Sequence, residues 1–169
     1  MVQLNTNGAS MGNPWKARGG GLIRDNSRNW VKGFSRSIGL RTSILVELWA
    51  LRDGLILATQ LGIQNLEVEL DAKVVMDLIN SNSQSNAAYT SLLVDCRLLL
   101  NRIPLARVNH VFWEANHCVD ALAKNGCTLE EAFCVFDSAP PFVKELLCLD
   151  VNWVNYYRLL AANLAILAS

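Results

Sequence analysis

The chain has 169 residues, 51% of them hydrophobic and 18% charged, with a formal net charge of zero. That is enough chain for one domain with a real core, and too apolar for disorder. No run reaches the roughly 18 to 20 uninterrupted apolar residues that a membrane span needs.

In chain order, VQLNTNGAS reads as a short strand entering a turn. GGGLIRD and NWVKGFSRSIG read as two further strands joined by the turn DNSRN, whose Asp, Asn and Ser favour turns. TSILVELWALRDGLILATQLG is the strongest helix: Ile44, Leu48, Leu51, Leu55 and Ala58 recur at intervals of four and three as one apolar stripe. Thr42 or Ser43 is its expected N-cap and Gly62 its expected stop. NLEVELD alternates, with Leu66, Val68 and Leu70 on one face, and reads as a strand. AKVVMDLINSN then reads as a helix capped by Asp71, NSQSNA as a loop and AYTSLLVDCRLLLNRI as another helix. ARVNHVFWE is a fifth strand and ANHCVDALAKNG a last helix. The order βββαβααβα predicts an α/β fold, a mixed five-stranded sheet flanked by helices, over residues 1–127. Residues 128–169, broken at SAPP and carrying two short apolar segments, are expected to form a C-terminal helical extension of no assigned role.

The charges are uneven. Residues 1–46 hold seven basic side chains against Asp25, a net +6, and the remainder holds eight basic and fourteen acidic residues, a net −6. A basic front and an acidic back suit a protein that binds phosphate and a cation, although solvated strand faces give the same pattern. The five cysteines, Cys96, Cys118, Cys127, Cys134 and Cys148, are odd in number and contain no CxxC pair. With MVQLNTNGAS lacking a basic and apolar leader, they point to free thiols in an intracellular protein of nucleus or cytoplasm, not a secreted one. A zinc site drawn from His110, His117, Cys118 and Cys127 matches no common ligand spacing.

Three acids stand where a core fold has little use for them: Glu47 beside the apolar stripe, Asp71 at the end of a strand, and Asp120 within ANHCVDALAKNG. Each has an ordinary explanation alone. Glu47 lies in a first helical turn favoured by the macrodipole, Asp71 is placed to cap a helix, and Asp120 is placed to pair with Lys124 four residues on. A fourth place, in LNTNGAS, has the surroundings of an acidic site but carries Asn7. Hard oxygen ligands on separate elements converge only in a folded sheet, which is the pattern of a two-metal phosphodiester site. Here the pattern lacks one carboxylate.

The words around these residues resemble a known family. LNTNGASMGNP is similar to the strand-one motif of type 1 ribonuclease H, VELWALRDGL to its helix-A motif, VELDAK to its strand-four motif and EANHCVDALAK to its final-helix motif. More narrowly, residues 2–127 resemble the ribonuclease H domain of plant retrotransposon-derived, reverse-transcriptase-like proteins. The resemblance implies a ribonuclease H fold and an endonuclease that hydrolyses the RNA strand of RNA–DNA hybrids. It implies two Mg²⁺ ions, with Mn²⁺ as a substitute, and a monomer with no membrane partner. Glu47, Asp71 and Asp120 are implied as catalytic metal ligands, with Asn7 in the degenerate first position. Gly8, Ala9, Asn13 and Ser43 match the segments that contact nucleic acid. The chain departs from the family at Asn7, at Ile44 where a polar residue is usual, and at Trp15 where a glycine is usual. The family's loop histidine has no room between Trp113 and Ala115, so His110 is given no such role and His117 reads as a helix-surface residue. Trp30, Trp49, Trp113 and Trp153 read as packing residues. An amide at position 7 offers one acceptor oxygen and no charge, so hydrolysis is expected to be severely reduced. The rival expectations are a binding module without turnover, and an inert scaffold or retroelement remnant.

Overall fold

The computed structural model describes residues 1–11, 16–81, 87–111, 116–126 and 131–149. The front of the chain folds into β1 (Val2–Met11), β2 (Lys16–Arg24) and β3 (Trp30–Gly39). The turn between β2 and β3 is held by the Asp25 carboxylate, which accepts from the Ser27 and Asn29 backbone N–H groups, each at 2.8 Å. The apolar stripe becomes α1 (Ser43–Gln60), followed by β4 (Asn65–Leu70), α2 (Lys73–Asn80), α3 (Thr90–Asn101), β5 (Leu105–His110) and α4 (His117–Asn125). β6 (Phe133–Phe136) and α5 (residues 141–149) come last. No helix among the described residues is long and apolar enough to cross a membrane.

One six-stranded sheet has the order β5-β4-β1-β2-β3-β6. β1, β2 and β3 are antiparallel neighbours, β4 runs parallel to β1 and β5 parallel to β4, and β6 is antiparallel to β3. The fold is therefore the expected mixed α/β sheet, with one strand more than the five expected. The sixth is FCVF, too short to display a period, and it forms because β3 offers an open edge from Gly33 to Arg36.

Glycines set how closely the helices lie on the sheet. A Cβ on Gly8 would come within 2.5 Å of the Glu47 backbone N, and one on Gly20 within 2.4 Å of the Ala123 backbone N. Gly8 and Gly20 belong to neighbouring register pairs, so α1 and α4 press on opposite faces of β1 and β2. On the α1 face, Leu4, Leu48, Leu51, Leu55, Leu66 and Val68 form the main core, all fully buried. Each such leucine contributes about 2 kcal/mol by leaving water. On the α4 face, Leu22, Cys118, Val119, Leu122 and Val143 form a smaller core.

The helix ends only partly follow expectation. Gly62 stops α1 with a φ of 67°, its N–H donating to Thr59 O. Thr42 is the N-cap of α1 but makes no side-chain cap bond. Asp71 does not cap α2: the N-cap is Ala72, without a side-chain cap bond.

Candidate active site

β4 ends at Leu70, which pairs with Thr6, while β1 runs on to Met11. Past that point β1 has β2 on one side and a notch on the other. Two of its backbone groups there are taken by side chains, one from each flanking helix. The Gly8 N–H donates to Glu47 Oε2 of α1 at 2.9 Å, and Thr6 O accepts from Asn116 Nδ2, just ahead of α4, at 3.4 Å. Asn7 lies between them, half-buried, and Asp71 is its next register position across the notch. Asp120 stands one turn into α4, its N–H donating to Asn116 O at 3.1 Å. The close seat of α1 on Gly8 lets a short glutamate reach the strand backbone.

Glu47 is 8% exposed. Loss of water pushes its carboxyl well above the usual carboxylate range and the nearby Asp71 charge pushes it further, against the single N–H of Gly8. Burial also raises Asp71; its own and Ala72's backbone N–H groups and His110 act against that shift, and Asp120 adds to it. Among the described residues, Asp71 Oδ1 is buried with no hydrogen-bond partner, as are Thr6 Oγ1 and Asn116 Oδ1. Buried acceptors without donors are costly, roughly 1–3 kcal/mol each. Their concentration around this notch marks a place shaped for something other than packing.

Residues 5–126 match the family model described as reverse transcriptase-like. The chain belongs to the reverse transcriptase-like family. It is 34% identical over 146 residues to an Arabidopsis thaliana protein provisionally named a ribonuclease H protein, covering 86% of this chain and 24% of that one. The chain thus spans about a quarter of the length of the curated relative it matches. Among solved structures it is similar to RNase H1 of Halobacterium salinarum, with a TM-score of 0.70, 26% identity, and coverage of 75% of this chain and 97% of the other. The N-terminal RNase H domain of a Mycobacterium tuberculosis protein gives a TM-score of 0.70 at 23% identity, over 75% of this chain and 93% of that one. LC11-RNase H1, solved in complex with an RNA/DNA hybrid, gives 0.67 at 20%, over 74% and 95%. The fold is that of RNase H.

Within this family member, the sequence-predicted acids lie just past the end of β4 and on the two helices flanking β1, and the charge of Asp71 is felt by Glu47 and that of Asp120 by Asp71. Their donor set is carboxylate oxygen, and the orphaned Asp71 Oδ1 is an acceptor that a hard cation would satisfy, so the residues fit Mg²⁺ in kind. In number they fall short. Among the described residues no three His, Cys, Asp or Glu side chains stand close enough to enclose a metal ion. Position 7 carries an amide, and Asp120 is drawn to Lys124 at 2.5 Å, the pair its spacing predicts.

Of the predicted nucleic-acid contacts, Gly8 and Ala9 lie on β1 at the notch and Ser43 opens α1, exposed. Asn13 and Trp15 lie outside the described residues, as do Trp113, Cys127 and Trp153. Trp30 and Trp49 are partly buried packing residues. His117 is on the helix surface.

Three residues at the site were given no role there from sequence. His110 ends β5 opposite Leu70, and its Nε2 lies 3.0 Å from Asp71 O. Asn5, 4% exposed, donates to Glu69 Oε2 at 2.5 Å and ties β1 to β4 two residues before the notch. Asn116 is 2% exposed. The parallel register of β1, β4 and β5 would have revealed the first two, because it aligns VQLNT with LEVEL and with ARVNH.

Proposed function

We propose that this domain binds RNA–DNA hybrid as an RNase H module, and that hydrolysis of the RNA strand is severely reduced by Asn7. One observation carries the reading: position 7 occupies the centre of a notch bounded by Glu47 and Asp71 and presents an amide where the rest of the site presents carboxylates. Divalent ions such as Mg²⁺ or Mn²⁺, when bound in such a site, activate water and stabilise a leaving oxygen. Glu47, Asp71 and Asp120 would hold them. Glu47 is aimed by the Gly8 N–H and Asp71 is fixed at the strand end, so both carboxylates are oriented before any ligand arrives. Asn7 offers one carbonyl oxygen, its nitrogen is a donor, and it cannot bridge two cations. Disturbing groups behind metal ligands costs roughly 10- to 100-fold, and replacing a ligand costs more.

Hybrid recognition needs less. Gly8, Ala9, Asn13 and Ser43 are the proposed nucleic-acid contacts, and Arg28, Lys32 and Arg41, basic residues of the first 46 that are neither buried nor held by Asp53, supply phosphate attraction. We assign this role to residues 1–127, acting as a monomer inside the cell, in nucleus or cytoplasm. LC11-RNase H1 was solved on an RNA/DNA hybrid, which supports the choice of ligand.

The test is a fluorescence-anisotropy titration of labelled hybrid and of duplex DNA at several salt concentrations in Mg²⁺. Preferential hybrid binding that weakens steadily with salt is expected. Hybrid binding no tighter than that of an unrelated neutral protein would contradict the reading and leave a scaffold.

A further inference from the structure

Asn116 occupies the N-cap position of α4, yet its side chain makes no cap bond and its backbone, at φ −118° and ψ 21°, is not in the extended conformation usual for a cap. The amide is spent elsewhere. Its Nδ2 donates to Thr6 O on β1, across 110 residues of sequence, and among the described residues its Oδ1 is left buried with no partner. A residue that forgoes capping and carries an unpaired buried acceptor is held for its position. Its main-chain O accepts from Val119 N at 3.2 Å and Asp120 N at 3.1 Å.

α4 is thereby fixed to the strands at two points. At one, Ala123 sits on Gly20, the register partner of Asn7; at the other, Asn116 grips Thr6, the residue before Asn7. Asp120 lies between these points on the helix. We propose that Asn116 is a positioning residue, which sets how far the Asp120 carboxylate stands from position 7 by tying the start of α4 to the notch in β1. This rests on the reading of Asp120 as a metal ligand given above. The stripped contact would leave α4 packed through Cys118, Val119 and Leu122, all fully buried, while its first turn drifts from β1.

Two variants separate positioning from mere structure. Asn116→Ser supplies a good N-cap and removes the unpaired buried acceptor, so a purely structural role predicts unchanged or raised thermal stability and unchanged metal binding. Asn116→Asp adds negative charge beside the site, so simple electrostatics predicts tighter cation binding; it also turns an acceptor towards Thr6 O. The measurement is Mn²⁺ affinity without nucleic acid, from the electron paramagnetic resonance signal of free Mn²⁺, in the Asn7→Asp background where the site has its full set of carboxylates. Expected is a loss of roughly 10- to 100-fold in both variants, with Asn116→Ser melting no lower than its parent. Mn²⁺ binding in both variants as tight as in the parent would overturn the inference. If Asn7→Asp alone binds no Mn²⁺, the metal-site reading itself fails. Should either variant not fold, Asn116→Ala gives the same comparison of affinity against melting temperature.

Discussion

Two acids are buried on the same helix, six residues apart, and they have opposite surroundings. Asp53 is 3% exposed and meets a full set of partners: Arg36 donates to both its oxygens, and Arg36 is stacked over Trp49 at 5.2 Å and over Phe133 at 4.7 Å. Glu47 is 8% exposed and has the Gly8 N–H and a neighbouring carboxylate. Burial raises both carboxyls, but around Asp53 the arginines pull back, whereas around Glu47 Asp71 pushes on. A fold that can surround one buried acid on α1 with cations sets no cation beside the other among the described residues. The Asp53 region joins β3, α1 and β6. The Glu47 region joins α1, β1 and the end of β4, and is the place where the proposed metal ions would bring the missing positive charge.

The largest expected effect lies on the Asp53 side. Arg36→Ala strands a buried carboxylate and should cost about 3–5 kcal/mol, read as a lower urea midpoint, and Arg36→Met with Asp53→Leu should recover most of it. A loss under 1 kcal/mol would remove the contrast between the two acids. Next come the glycines that seat the helices. Gly20→Ala places a Cβ against the α4 backbone at 2.4 Å and should destabilise by about 1–3 kcal/mol or more in the same assay.

Glu47→Gln sharpens the comparison through its sign. A carboxyl whose folded pKa is raised contributes stability at pH below its ordinary range and loses it as pH rises through the folded value. Without divalent ions, the wild type should therefore lose stability on going from pH 4 to neutrality, and Glu47→Gln should melt higher than wild type at neutral pH. Asp53→Asn should melt lower there, because Arg36 loses its ionic partner. The smallest effect belongs to Lys124→Ala, whose surface pair with Asp120 should be worth about 0.3–0.5 kcal/mol.

Much of this was legible in the chain. The stripe Leu48, Leu51, Leu55 and Ala58 is long enough to fix α1, and alternation in LEVEL fixes β4. The acids were found because their words resemble a family, since each alone has a bland local explanation. What stayed hidden is what depends on pairing between distant segments. Asp71 looked like a cap because capping is a local pattern, whereas the notch that holds its carboxylate exists only once β1 outruns β4. FCVF is too short to show a period and becomes a strand only because β3 has a free edge. The environment of Asp53 needs Phe133, eighty residues away.

Whether Asn7 stands in a carboxylate's place is tested most directly by cleavage of a labelled RNA–DNA hybrid by freshly purified wild type and Asn7→Asp, in Mg²⁺ and in Mn²⁺. The account predicts that Asn7→Asp cuts the RNA strand and that wild type is slower by more than about 100-fold. Equal cleavage by the two proteins would contradict it, since position 7 would then not be a ligand position.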